Sequence, residues 1–174
     1  VLAGVGASTR NKPVVATTVV SSQLLGRMAR AEGWDYVETL TGFKNLARAA
    51  HGRPGELAFA YEEAIGTAPA PHIVADKDGI ATALIAAAWA AEADLGAELD
   101  DIEATYGVFR TAQVSARFDS AEQAGELIAR WAKNPPAELA GVAVQAGPIE
   151  DSAGNRTDGC LLYTSPSPRD RTRS

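Results

Sequence analysis

Hydrophobic and polar positions come in alternating blocks along the first half of this chain, and the blocks predict strands and helices in turn. Val14 to Val20 is a β-branched run of the buried kind, opened by Pro13 and closed by Ser21 and Ser22, which can cap a following helix. Leu24, Leu25 and Met28 recur at helical spacing, and Gly33 ends that helix. Trp34 to Leu40 reads as a second strand. Phe43 to Ala50 reads as a short helix with Phe43, Leu46, Ala47 and Ala50 on one face, and Leu57 to Tyr61 as a third strand. The order βαβαβ predicts an α/β fold, a βαβ-type mixed sheet with helices on both faces, in which ligands collect where strands end and helices begin.

Downstream the spacing becomes helical. Asp78 is placed to cap a helix from Gly79 to about Asp94, whose Ile80, Ala83, Leu84, Ala87, Ala88 and Ala91 form an apolar face expected in the core. Leu99 to Tyr106 predicts another helix, ending at Gly107, so residues 13–108 read as one α/β domain. Thr111 to Phe118 then alternates as a strand, and Ser120 with Gln123 forms a capping box for a helix with Leu127, Ile128 and Trp131 on its inner face. Pro135 and Pro136 stop that helix, Ala140 to Ala146 reads as a strand, and Gly147 to Asn155 as a turn-rich connection. Residues 109–159 are thus expected to open a smaller, truncated α+β domain. Residues 1–12 read as a linker remnant with the N-terminus missing. The composition breaks after Gly159, and residues 160–174 resemble translated adaptor or cloning sequence, a non-native tail expected to lie outside the fold.

Composition narrows the function. At 174 residues, 46% hydrophobic and 22% charged, the chain is long enough for a real core. No apolar run approaches the roughly 18 residues of a membrane span, and the first residues lack the pattern of a signal peptide, so no membrane partner and a cytoplasmic address are expected. A net charge of −6 argues against non-specific nucleic-acid binding, which depends on lysine and arginine neutralising phosphates. Cys160 is the only cysteine and can form no intrachain disulfide, and no Cys/His cluster has zinc-binding spacing.

The candidate chemistry lies in three short stretches. In Tyr61-Glu62-Glu63-Ala64-Ile65-Gly66 a strand delivers two adjacent carboxylates onto a turn; in extended backbone they point to opposite faces, so only one is expected to meet a ligand. Asp76-Lys77-Asp78-Gly79-Ile80 sets a lysine just before a helix N-terminus, the end where a cation is electrostatically misplaced and needs a partner such as Asp76, Asp78 or a phosphoryl group. Thr39-Leu40-Thr41-Gly42-Phe43-Lys44 is a small-residue turn that lets backbone approach a ligand. From the residues alone these same stretches also read as solvated turn acids, a Lys–Asp surface pair and an ordinary helix entry with Thr41 as N-cap. His51 and His72 lie in loops with no partner at triad spacing.

Taken in order, the three stretches resemble consecutive motifs of the α-D-phosphohexomutases, the phosphoglucomutase and phosphomannomutase superfamily, in its phosphopentomutase-like branch. The resemblance implies that the chain corresponds to the third domain and the start of the fourth. It assigns Glu62 to the sugar hydroxyls and lays the backbone of Thr41 and Gly42, with Lys44, along the sugar. It makes Lys77 a candidate general acid or base at the reacting hydroxyl. Glu63 is a further substrate-binding candidate, or else a support of the loop through backbone N–H groups. A phosphohexomutase also needs a phosphoserine, an aspartate-rich loop for Mg²⁺ and a loop gripping the second phosphate. None is visible here, so Mg²⁺ is expected to belong to the full-length enzyme, with no ligand in this chain and none bound by it. The expected partner is a phosphorylated sugar, hexose or pentose, and the expected role is that of a mutase fragment, inactive alone, that contributes the sugar-hydroxyl-binding loop. A non-catalytic sugar-phosphate-binding module and a scaffold domain are the alternatives.

Overall fold

Every residue of β1 (Pro13–Thr18) is buried, and a strand buried on both faces belongs at the centre of a sheet. The computed structural model, which describes residues 12–111, 116–139 and 142–164, places it there. β2 (Asp35–Thr39) and β3 (Glu56–Tyr61) run parallel to β1 on its two sides, and β4 (Thr67–Ala68) adds antiparallel to β3, giving the order β2-β1-β3-β4. In this register Ala16 stands between Val37 and Ala60. The fold is a mixed α/β sheet with a helix on each face.

Alternation along β1 builds those layers. Val14 and Ala16 point to the face covered by α2 (Phe43–Leu46), where Phe43 and the fully buried Leu46 pack. Val15 points to the other face, where Leu25 and Ala29 of α1 (Leu24–Glu32) meet Phe59. Burial of a leucine-sized side chain contributes about 1.5–3 kcal/mol, so these two small clusters hold the sheet to its helices.

Several elements differ from the sequence-based expectation, each for a local reason. The first strand stops at Thr18, not Val20, because the Ser21 amide donates to the Thr18 carbonyl (2.9 Å) and the two hydroxyls pair (2.8 Å), turning the chain and leaving Val20 exposed. Gln23, with no side-chain cap, stands at the N-cap of α1, while Ser22 accepts from the Leu24 amide at 3.1 Å. The helix expected over Phe43 to Ala50 is regular only to Leu46. Beyond it, bonds such as Arg48 N to Asn45 O and Ala49 N to Leu46 O tighten the chain to three residues per turn, so Ala49 rather than Ala47 joins Phe43 and Leu46 in the core. The two-residue β4 had no periodicity to reveal it.

α3 (Gly79–Glu92) begins where expected, with Asp78 Oδ1 accepting from the Ala81 amide at 2.8 Å. It ends before Asp94, which instead caps α4 (Leu95–Tyr106) by accepting from the Gly96 and Ala97 amides, four residues ahead of the expected start. Its apolar face is not in the core: no residue of α3 is buried, and Ile80 and Leu84 are 87% and 72% exposed. The first turn is anchored through Asp78 N to Thr67 O (2.9 Å) and the Thr67–Thr82 hydroxyl pair (2.6 Å), and Ile85 and Trp89 further along are half-buried. Among the described residues no single helix is long and apolar enough to cross a membrane.

The chain divides into two units, Val1–Thr111 with Asp151–Ala153, and Ala112–Glu150 with Gly154–Ser174. The second contains α5 (Ala121–Lys133) and an antiparallel sheet of β5 (Glu138–Leu139), β6 (Val142–Glu150) and β7 (Arg156–Thr164), in the order β5-β6-β7. Ser120 accepts from the Gln123 amide at 3.3 Å, as an N-cap serine does. The strand expected over Thr111 to Phe118 falls partly outside the described residues, and Ala116–Phe118 are not in a strand. Strand β6 runs on to Glu150 through part of the expected turn. Strand β7 crosses the composition break, and Cys160 to Thr164, expected outside the fold, pair with Pro148 to Val144; residues 165–174 lie outside the described residues. Backbone pairing tolerates a change in composition that a side-chain pattern does not. Deleting Cys160 to Ser174 therefore removes the partner of most of β6, and a thermal melt of the truncated chain is expected to fall by about 4 °C or more. An unchanged melting temperature would show that this pairing carries no stability.

Candidate functional site

Parallel strands end at the same edge of a sheet, so β2 and β3, flanking β1, deliver their following loops to one place. The loop after β2 is Leu40-Thr41-Gly42, and Gly42, at φ 115°, turns its amide toward the loop after β3. That amide donates to Glu62 Oε1 at 2.8 Å. The Glu62 amide in turn donates to the Gly66 carbonyl at 2.9 Å, closing the loop on itself. β4 then carries the chain back, and Lys77 brings its Nζ to 3.7 Å from Glu62 Oε2 and 5.5 Å from the centroid of the Phe43 ring. Stretches 39–44, 61–66 and 76–80 therefore meet around one carboxylate.

The Glu62 side chain is only 14% exposed, whereas that of Lys77 is 46% exposed. A largely buried carboxylate needs compensation, and here it receives one amide hydrogen and one nearby cation. At 3.7 Å the lysine is an ion-pair partner rather than a tight hydrogen-bond donor, so its ammonium keeps donors for another acceptor. The carboxylate keeps lone pairs for hydroxyl donors. Burial pushes the neighbouring Tyr61 phenol above its ordinary range, so that group stays neutral beside the loop.

Glu63 turns the other way. Its Oε2 accepts from the Ser22 amide (2.9 Å) and its Oε1 from the Thr111 hydroxyl (3.0 Å), so the adjacent glutamates serve different neighbours. Thr41 is exposed, and its carbonyl accepts from Asn45 Nδ2 at 3.1 Å; Gly42, not Thr41, is the N-cap of α2. Lys44 lies exposed in α2. Asp76 and Asp78, considered as partners of the Lys77 charge, are occupied otherwise: Asp76 Oδ1 accepts from the Lys77 amide (2.7 Å) and Asp78 caps α3. The ammonium pairs with Glu62, fifteen residues upstream, a pairing that short-range sequence reasoning does not reach.

Residues 2–106 match the family described as phosphoglucomutase/phosphomannomutase, alpha/beta/alpha domain III. The chain belongs to this family. It is 33% identical over 135 residues to a probable phosphomannomutase of Haemophilus influenzae, a match covering 75% of the chain and 27% of that relative. It is 31% identical over 144 residues to a phosphoglucomutase of Staphylococcus aureus (77% of the chain, 26% of the relative). It is 42% identical over 74 residues to a human phosphopentomutase (41% and 12%). The chain thus spans about a quarter or less of the length of these curated relatives. The phosphohexomutase resemblance of its motifs and the α/β/α assignment of its first unit therefore agree.

Within this mutase family Mg²⁺ is the metal the resemblance implies, and the residues here do not fit it. Among the described residues no group of three or more His, Cys, Asp or Glu side chains could hold a metal ion, and the Glu62 carboxylate is already paired with Lys77.

Two site residues escaped the sequence reading. Phe43, assigned only to the core, also lies beneath the Lys77 ammonium, a cation–π geometry. Gly66, assigned only to a turn, sits at φ 118°, and a Cβ there would overlap Cδ and Cγ of Lys77. Glycine is thus required twice, by the backbone and by the lysine stem lying across it. Gly66→Ala is expected to lower the unfolding free energy by about 1–3 kcal/mol and to move Lys77 away from Glu62. Urea titration and the Lys77 side-chain NMR signals check this, and an unperturbed lysine would show that Gly66 does not set its place.

Proposed function

We propose that this chain supplies the sugar-hydroxyl-binding loop of a phosphosugar mutase, a protein that moves a phosphoryl group between the C1 and the C6 or C5 hydroxyl of a hexose or pentose phosphate. The observation carrying this reading is the convergence of three motif stretches on Glu62. A carboxylate accepts from two neighbouring hydroxyls without a metal, and Glu62 is held at a strand end where α/β sheets bind ligands. Thr41, Gly42 and Lys44 provide the adjoining backbone and a cation. Lys77 is the candidate proton donor or acceptor at the reacting hydroxyl, since its ammonium is half exposed beside the carboxylate. Glu63 is the weaker candidate for sugar contact, because both its oxygens already accept from Ser22 and Thr111.

In this reading the phosphoserine, the Mg²⁺ loop and the grip on the second phosphate come from other parts of a longer polypeptide. Phosphoryl transfer depends on positioning and on neutralising charge at the transferred group. The 174-residue chain alone is therefore expected to give no turnover above background in a coupled assay from glucose 1-phosphate with Mg²⁺ and a bisphosphate activator.

Glu62→Gln keeps the shape of the side chain but weakens charge-assisted contacts to hydroxyls. With this chain's loop grafted into a full-length phosphoglucomutase, kcat/KM is expected to fall about ten- to a hundredfold. An unchanged value with intact folding would remove Glu62 from sugar binding, and the functional reading of the loop with it.

A further inference from the structure

The loop after β3 hangs from its glutamates in two directions. Glu62 reaches across the site to Gly42 and Lys77, but nothing in those bonds fixes the loop from behind. Glu63 does. Its two carboxylate oxygens take separate donors: the backbone amide of Ser22, in the turn between β1 and α1, and the hydroxyl of Thr111, the last residue of the first stretch of this unit. The Glu63 amide also points at the Ser21 hydroxyl, 3.4 Å away, and that hydroxyl is paired with Thr18 at the end of β1. The acid therefore joins the loop to the exit of the central strand on one side and to Thr111 on the other.

We infer that Glu63 is a positioning residue rather than a sugar ligand: by clamping the loop to Ser22 and Thr111 it fixes where Glu62 presents its carboxylate. The inference rests on the proposed role of Glu62 for its functional meaning, but its structural content does not require a sugar. The two glutamates follow β3 directly, and their carboxylates take separate partners, Gly42 and Lys77 for one and Ser22 and Thr111 for the other, so Glu62 can face the ligand while Glu63 is held. A free Glu63 would let the short loop rotate about its Glu62–Gly66 closure and draw Glu62 away from Gly42.

Two measurements on the 174-residue chain, read by NMR, separate the possibilities. The first is amide hydrogen exchange without ligand in wild type, Glu63→Ala, Glu63→Gln and Thr111→Val. Glu63→Ala is expected to speed exchange at Ser22 and also at Gly42, which Glu63 does not touch, by about two- to tenfold, the span of one ordinary hydrogen bond. The core amides of β1 should remain unchanged. Glu63→Gln keeps an oxygen for the Ser22 amide and an NH₂ for the Thr111 hydroxyl, and is expected to restore slow exchange at Gly42. Thr111→Val should give a smaller rise, and it keeps the question open to test if Glu63→Ala fails to fold. Faster exchange at Ser22 with no change at Gly42 would overturn the inference, as would failure of Glu63→Gln to restore Gly42.

The second is titration with glucose 1-phosphate. If wild type binds and Glu63→Gln binds equally well, Glu63 positions rather than contacts the sugar. If Glu63→Gln loses binding while its Gly42 exchange stays slow, Glu63 is a ligand and the inference falls. If wild type shows no binding, the sugar-loop reading loses support, while the exchange data still decide the clamp.

Discussion

The site of this protein depends on one carboxylate that three distant stretches share. Glu62 accepts the Gly42 amide and faces the Lys77 ammonium, so one acid ties the loops after β2 and β3 to the segment leading into α3, beside the Lys77–Phe43 contact and the Asp78–Thr67 hydrogen bond. The interaction is modest by ion-pair standards, since a half-exposed lysine at 3.7 Å is screened by water. Its value is geometric. Burying most of the glutamate makes each compensating donor costly to lose, so the loops are kept in register by the need to satisfy one acid.

The sheet sets the conditions for that arrangement. A parallel β2-β1-β3 core puts the ends of β2 and β3 at one edge, on either side of β1, and β4, only two residues long, reverses the chain so that Lys77 comes back over Gly66. Gly66 is the permissive point: any side chain there would meet the lysine stem. Helix α3 begins at the same place, tied by Asp78 and Thr82 to Thr67. Beyond that first turn no residue is fully buried and Leu84 lies open, although a helix apolar on all sides is ordinarily an interior one.

Membership of the phosphoglucomutase/phosphomannomutase family gives these contacts their context. The matched region is the α/β/α domain III, and the chain accounts for about a quarter or less of its relatives' length. Glu62 faces the candidate sugar site and Glu63 faces Ser22 and Thr111, so two identical side chains at the exit of β3 take different partners.

The amino-acid sequence by itself determined the alternation of strands and helices in the first unit, the Asp78 cap, and the three stretches that carry the family's signature. Each of these depends on neighbours within a few residues: β-branched runs, a 3.6-residue period, or a carboxylate at an N-cap. It could not show that Lys77 pairs with Glu62 rather than Asp76 or Asp78, that Phe43 lies under the ammonium, or that Gly66 must lack a side chain. Those facts depend on residues far apart in the chain that the sheet order brings to one edge. The exposure of Ile80 and Leu84 and the passage of β7 across the break at Cys160 belong to the same class. An apolar period states what a face prefers, and a change of composition states what a segment contains, but only tertiary structure decides what lies against the face or pairs with the backbone.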